Sequence, residues 1–188
     1  MNHLYSCDRC GKVLTSDIYY QNHMERKVPC RDKRLDTLTK KEIPRPLLKW
    51  VGGKGQIIDK IVKKLPTKMN HYHELFVGGG SVLISVLWAQ KEGLITIDNT
   101  INAYDLNEAL IGTYKNIQSQ KDTLYDSIIL LVNVYNSCSE DGEVNRKPET
   151  MEEAQTSKES YYYWVRKLYN EGQDKQSIQS SAYFIFLN

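Results

Sequence analysis

The sequence predicts a mixed α/β fold: a parallel sheet of the ligand-binding kind, a helical region after it and a small ββα metal-binding module before it. Three observations predict it. Gly52–Gly55 and Gly78–Gly80 each follow an apolar or β-prone run and each lead into a helical pattern, the arrangement in which backbone closely approaches a polar small molecule. A lone acid, Asp105, follows the next β-prone run, Thr100 to Tyr104. Three of the four cysteines fall within the first thirty residues, in a spacing that suits metal rather than disulfides.

In chain order, Cys7 and Cys10 are separated by two residues, so one tight turn presents both sulfurs; His23 follows after twelve more residues and Cys30 after another six. Thiolates and imidazole suit tetrahedral Zn²⁺. Tyr5, Leu14 and Tyr20 fall where a ββα zinc finger places its small apolar core, and Ser16 is placed to cap a helix carrying His23. The segment departs from that pattern at its last ligand, a cysteine at a longer spacing. A Cys₃His finger over residues 1–34 is expected; its rival is a free-thiol leader, since so short a segment cannot fold without metal. Docked as its relatives dock, the finger would turn Ser16, Tyr19 and Asn22 toward base edges, with Asn22 matched to adenine and Arg26 and Lys27 to phosphate. Fingers also bind proteins, and one finger alone, reading about three base pairs, confers little specificity.

Residues 35–45 are polar, charged and proline-ended, a basic linker by composition. Leu47, Leu48 and Trp50 then precede the first glycine cluster, and Ile57, Ile58, Ile61, Val62 and Leu65 mark one face of a helix ending near Pro66. Lys54 lies near the start of that helix, where a cation is disfavoured unless an anion joins it. Glu74 to Val77 reads as a strand, Gly78, Gly79 and Gly80 as a turn, and Ser81 through Val82, Ile84, Leu87 and Trp88 as a helix. Taken singly, Trp50 is an ordinary core aromatic, Lys54 a solvated lysine and Asp105 a helix cap for Leu106 to Ile117; their joint order points to a ligand. Neither glycine cluster gives G-x-x-x-x-G-K-[ST] or G-x-G-x-x-G, which excludes a P-loop and a nicotinamide fingerprint.

Beyond Ile117, Leu124, Ile128, Leu131, Val132 and Tyr135 share a helical face. Ser137 to Glu159 is acidic and poor in large apolar residues, a loop by composition. Tyr161, Tyr162, Tyr163, Trp164, Tyr169 and Tyr183, with Arg166 and Lys167 among them, combine stacking and cationic groups; Arg166 and Lys167 are candidates for DNA contact, while Tyr162, Val165 and Tyr169 at helical spacing are expected in a core.

Composition sets the bounds. The 188 residues are enough for one medium domain and an appendage, and 40% hydrophobic with 26% charged residues is an ordinary globular balance. No run is long enough to span a membrane and no apolar signal region opens the chain, so the cytoplasm is the expected compartment. The net charge of +2 is unevenly spread: Met1 to Lys49 carries 11 lysines and arginines against 6 acids, Trp50 to Asn188 14 against 17. The basic end is the part expected near phosphates. Cys138 is left over as an ordinary thiol.

Pro46-Leu47-Leu48-Lys49-Trp50-Val51-Gly52-Gly53-Lys54, then Glu74-Leu75-Phe76-Val77-Gly78-Gly79-Gly80-Ser81, then Tyr104-Asp105-Leu106-Asn107 with Leu110, Ile111, Tyr114, Lys115 and Asn116, resemble in order and type the Dam-type DNA adenine-N6 methyltransferases, from about Pro44 to the last residue. The resemblance implies a Rossmann-like S-adenosylmethionine (AdoMet) methyltransferase sheet beginning in 46–117, incomplete in this chain, with a helical target-recognition region in 118–188. It implies AdoMet as cofactor, beside the Zn²⁺ expected from the Cys/His segment, with Trp50 and Lys54 at its amino-acid end, Phe76 to Gly80 beneath it and Asp105 on the ribose, and double-stranded DNA as partner. Such enzymes act through D-P-P-Y or D-P-P-W, which holds the flipped adenine's amino group toward the sulfonium methyl. That motif is absent from the 188 residues. The expected corollary is a catalytic half supplied by further chain or a partner, and no methylation by this stretch alone. The alternative is a non-catalytic zinc-finger DNA- or protein-binding module with a vestigial methyltransferase domain.

Overall fold

A computed structural model describes residues 4–188. The chain divides into a first unit ending at Tyr104 and a second running Asp105–Asn188.

The first unit opens with a hairpin, β1 (Tyr5–Ser6) antiparallel to β2 (Val13–Leu14), Tyr5 opposite Leu14. Gly11 adopts φ +72°, and its N–H donates to the Cys7 carbonyl at 2.7 Å, folding the cysteine pair into one turn. Helix α1 (Asp17–Met24) follows from Ser16, whose backbone takes the N-cap conformation but whose side chain makes no capping bond, contrary to its expected role. Tyr5 stacks on Tyr20 with centroids 5.6 Å apart.

The stretch 35–45, expected as a linker, is partly core. Helix α2 (Arg34–Thr37) and the turns after it bury Leu35, Leu38 and Ile43 in one cluster with Ile58, Val62, Val86, Ala89, Leu94, Ile95 and Ile97. Burying a large aliphatic side chain is worth about 1.5–3 kcal/mol, which outweighs the polar character of the residues between them. The helix expected after the first glycine cluster is broken: Lys54–Gln56 is a 3₁₀ turn and α3 spans only Ile58–Val62.

Two parallel strand pairs follow. Strand β3 (Lys68–Met69) pairs with β5 (Thr96–Ile97), and β4 (Tyr72–Glu74) with β6 (Ile101–Ala103), Tyr72 opposite Ile101 and Glu74 opposite Ala103. Parallel pairing requires a crossover, supplied by α4 (Ser81–Lys91), which packs on α3. The β4 ladder extends past the strand, Tyr104 N–H donating to the Glu74 carbonyl (2.8 Å) and Val77 N–H to the Tyr104 carbonyl (2.9 Å).

The second unit is helical: α5 (Glu108–Ser119), α6 (Lys121–Ser137), α7 (Met151–Ala154), α8 (Lys158–Glu171) and α9 (Ile178–Leu187). The expected face of α6 holds, with Leu124 and Leu131 buried and Ile128 and Tyr135 packed against the same cluster. In α8 Val165 is buried and Tyr169 half-buried as expected, but Tyr162 is 36% exposed and its neighbour Tyr161 takes the core place instead. The acidic stretch 137–159 is anchored by buried Pro148, Ala154 and Ser157 and contains α7. Gly112 lets α5 meet the chain before α9, since a Cβ there would lie 2.6 Å from Gln176 Cα. Buried Asn116 donates to the Gln176 carbonyl and Ser181 Oγ, both at 2.9 Å. Cys138 belongs to this core as a buried free thiol. Among the described residues no helix is long and apolar enough to cross a membrane.

Candidate functional site

The two glycine clusters meet. Gly53 and Gly78–Gly80 are drawn together by Leu48 and Trp50: a Cβ on Gly79 would fall 2.6 Å from the Leu48 carbonyl oxygen and 3.0 Å from Trp50 Cβ, and one on Gly78 would fall 2.8 Å from the Trp50 ring. On the other side, a Cβ on Gly53 would come within 3.7 Å of Ser81 Oγ. The glycines are therefore required by tryptophan and backbone packing as well as by the turn itself, in which Gly80 takes φ +75° and ends the approach to α4.

Gly80 brings no side chain to cap α4, and Glu74 acts in its place. Its carboxylate accepts the Leu83 backbone N–H and the Tyr72 hydroxyl, the latter at 2.9 Å. Burial raises the Glu74 pKa, and those two bonds offset only part of the rise. Desolvation and the neighbouring carboxylate push the Tyr72 hydroxyl up in turn.

Phe76 is 81% exposed beside the turn, leaving an apolar ring uncovered. Lys54 is exposed and donates Nζ to the Gly52 carbonyl at 2.7 Å; it stands on the 3₁₀ turn rather than at a helix terminus, so the expected conflict with a helix dipole does not arise. Asp105 opens the second unit directly after Tyr104, and its Oδ1 accepts the Asn107 N–H at 3.0 Å. Asn107, not Asp105, is the N-cap of α5, bonding the Leu110 N–H at 2.9 Å.

The ligand atoms of Cys7, Cys10, His23 and Cys30 all lie within 4.8 Å of one another. Cys7 and Cys30 sulfurs are 3.6 Å apart and Cys10 Sγ is 3.4 Å from His23 Nε2. Tetrahedral zinc with Zn–S of about 2.3 Å has S···S edges of about 3.8 Å and S···N edges of about 3.5 Å, so the four atoms fit that ion. The thiols are free, and Cys7 and His23 are buried. Burial opposes ionisation of Cys7, but the backbone bonds of Cys10 and Arg9, with His23 and Cys30, bring its pKa down to about 6; the pKa of half-buried Cys30 is raised, first by desolvation.

Of the candidate DNA contacts, Tyr19 is 63% exposed on α1, and Asn22, Arg26 and Lys27 are exposed. The helix begins at Asp17, which leaves Ser16, Tyr19 and Asn22 at the expected positions relative to its start. Arg166 is exposed and, with Tyr162, Tyr169 and Phe184, borders a cavity of about 220 Å³. Lys167 is engaged, with Nζ 3.5 Å from the Pro148 carbonyl and 5.6 Å from the Trp164 ring centroid.

Residues 50–188 match the D12 class of N6 adenine-specific DNA methyltransferases. This chain belongs to that family. Among its relatives, the type II methyltransferase M.MjaIII of Methanocaldococcus jannaschii is 31% identical over 150 residues, 77% of this chain and 45% of the relative. The type II methyltransferase M1.LlaDCHI of Lactococcus lactis subsp. cremoris is 32% identical over 82 residues, 44% of this chain and 25% of the relative. The DNA adenine methylase of Haemophilus influenzae is 49% identical over 41 residues, 22% of this chain and 14% of the relative. The matched stretches thus span less than half the length of each of these relatives.

The D12 match begins at Trp50 and leaves the Cys/His cluster outside it. The positioning roles of several residues are not legible in the sequence, even where the residues themselves belong to its motifs. Leu48 acts through its carbonyl, which carries no residue-specific signal. Tyr72 and Glu74 pair across one strand face at i and i+2, a spacing legible in any strand. Arg9, Arg31 and Arg34 bond to distant carbonyls, which local pattern does not reveal.

Proposed function

We propose that this chain is the cofactor-binding and recognition part of an AdoMet-dependent DNA adenine-N6 methyltransferase with a zinc-binding Cys₃His module at its N-terminal end. The observation that carries it is the meeting of the two glycine clusters over Trp50 and Leu48, with Phe76 uncovered beside them. In this reading the sheet is the Rossmann-like part of the family fold, 46–117 its AdoMet half and 118–188 its target-recognition helices.

Trp50 and the main chain of Gly78–Gly80 would hold the cofactor, Phe76 would lie under it, Lys54 would meet its carboxylate and Asp105 its ribose hydroxyls. When bound, AdoMet supplies an electrophilic methyl group on sulfonium. This chain's part is to orient that donor: the packed tryptophan fixes the turn, and a carboxylate on a ribose is well suited to set the sugar's position. Double-stranded DNA is the proposed partner, with Tyr19, Asn22, Arg26, Lys27 and Arg166 as contacts. A D-P-P-Y segment from further chain or a partner would hold the adenine. Cys7, Cys10, His23 and Cys30 would hold Zn²⁺ as a closed structural site, four protein ligands leaving no open position.

Calorimetry of AdoMet binding to the wild type, Lys54→Ala and Asp105→Ala tests the assignment. Both substitutions are expected to weaken binding by about tenfold or more, the scale of one charged hydrogen bond. Equal affinity in all three would remove these residues from the site.

A further inference from the structure

The metal cluster and the glycine turns lie in one structural unit, and three arginines flanking the ligands tie them together. Arg9, beside ligand Cys10, donates Nη2 to the Leu94 carbonyl at 3.1 Å. Arg31, beside ligand Cys30, donates to the carbonyls of Leu65, at 3.3 Å, and Lys63. Arg34 donates to the Glu92 carbonyl at 3.1 Å while holding Asp32, itself only 3% exposed, at 2.9 Å. Lys33 N–H reaches back to the Arg9 carbonyl at 2.9 Å, closing the finger's hairpin onto the same segment.

The acceptors are chosen in a physically telling way. Lys63 and Leu65 follow the end of α3, and Glu92 and Leu94 follow the end of α4. Lys63 and Glu92 are the C-caps themselves, whose carbonyls lack intrahelical partners and carry partial negative charge, so a guanidinium satisfies both needs there, and Leu65 and Leu94 lie two residues beyond. The segment leaving Cys30 then sends Leu35, Leu38 and Ile43 into the core made by those two helices. It continues through Pro46 to Leu48 and Trp50, which pack on Gly78 and Gly79.

We infer that the Cys7–Cys10–His23–Cys30 centre is a clasp for the whole first unit: metal occupancy and folding of the part that carries the glycine turns form one equilibrium. A reader module on a free tether would leave that part indifferent to metal. Here, loss of metal releases Arg9, Arg31 and Arg34 from the helix ends and frees the chain that fills the core. The inference rests on the reading of the cluster as a zinc site.

The test uses the full 188-residue chain with one zinc bound, treated with a chromogenic chelator that reports zinc release. Thermal unfolding is followed together with amide hydrogen exchange at Val62, Val86, Leu94 and Ile95. Zinc release is expected to lower the unfolding midpoint by about 4 °C or more, and to speed exchange at those amides about tenfold or more. Adding zinc back is expected to restore both. A chain that loses zinc yet keeps its midpoint and protection would overturn the clasp while leaving the zinc site standing. A chain that binds no zinc would overturn both. An Arg9→Met, Arg34→Met variant keeps all four ligands; it is expected to bind zinc stoichiometrically but to show less than half the wild-type shift on chelation. A full-sized shift in that variant would also overturn the clasp.

Discussion

The fine structure of the glycine turn separates residues that look alike in sequence. Gly79→Ala would drive a methyl group to 2.6 Å from the Leu48 carbonyl oxygen and 3.0 Å from Trp50 Cβ. Both neighbours are themselves fixed, Leu48 being 1% exposed, so the turn must shift. Overpacking of this kind costs about 1–3 kcal/mol. Gly55→Ala meets nothing within 4 Å and needs no unusual φ. It is expected to be neutral or to gain up to about 1 kcal/mol, since alanine restricts the unfolded chain. Urea unfolding of the two variants checks the contrast: the midpoint falls for Gly79→Ala and does not fall for Gly55→Ala. An equal loss in both would mean that the approach of Leu48 to the turn is not what demands glycine.

At the scale of elements, α4 depends on a carboxylate from another strand for its first turn. Because burial raises the Glu74 pKa in the folded chain, the folded state binds more protons than the unfolded state between the ordinary glutamate range and that raised value. Stability must therefore fall as pH rises through that window. Glu74→Gln keeps an oxygen for the Leu83 N–H and the Tyr72 hydroxyl but carries no charge. Midpoints measured from pH 4 upward should decline in the wild type relative to the variant, and parallel curves would refute the assignment. The same element shows what was legible in the chain. The glycine turn, the helix after it and the following strand could be read because Gly78–Gly80 interrupts two apolar periodicities of different period. Residues 35–45 could not: Leu35, Leu38 and Ile43 are sparse among lysines and arginines, and only their burial against Val62 and Leu94 distinguishes core from linker. In α8 the run of consecutive tyrosines leaves the helical phase undetermined by composition, so Tyr162 was as good a core candidate as Tyr161. The gathering of Cys7, Cys10, His23 and Cys30 was legible because cysteine and histidine carry their chemistry in their identity, whereas the arginines beside them act through remote carbonyls.

For the whole molecule, the charge asymmetry is smaller in effect than in count. Of the 11 cationic residues up to Lys49, Arg9, Arg31 and Arg34 are already committed to main-chain carbonyls or to Asp32. Fewer remain for phosphates than the net charge implies; on the finger, Arg26 and Lys27 are both exposed, with the Arg26 guanidinium also donating to the Cys30 sulfur. Each phosphate contact to duplex DNA contributes about 0.9 to the slope of log affinity against log salt concentration. Replacing Arg26 and Lys27 by alanine should therefore flatten the slope by about 1.8, uniformly across DNA sequences. Arg166→Ala should flatten it by about 0.9, whereas Lys167→Ala should leave it unchanged because that ammonium already faces the Pro148 carbonyl and the Trp164 ring. Fluorescence anisotropy with a labelled duplex over a salt series measures all three. If Lys167→Ala flattens the slope as much as Arg166→Ala does, DNA binding draws Lys167 out of its packed position. If none of the three alters the slope, the phosphate-binding surface lies on other cations and the proposed DNA contacts of both α8 and the finger fall.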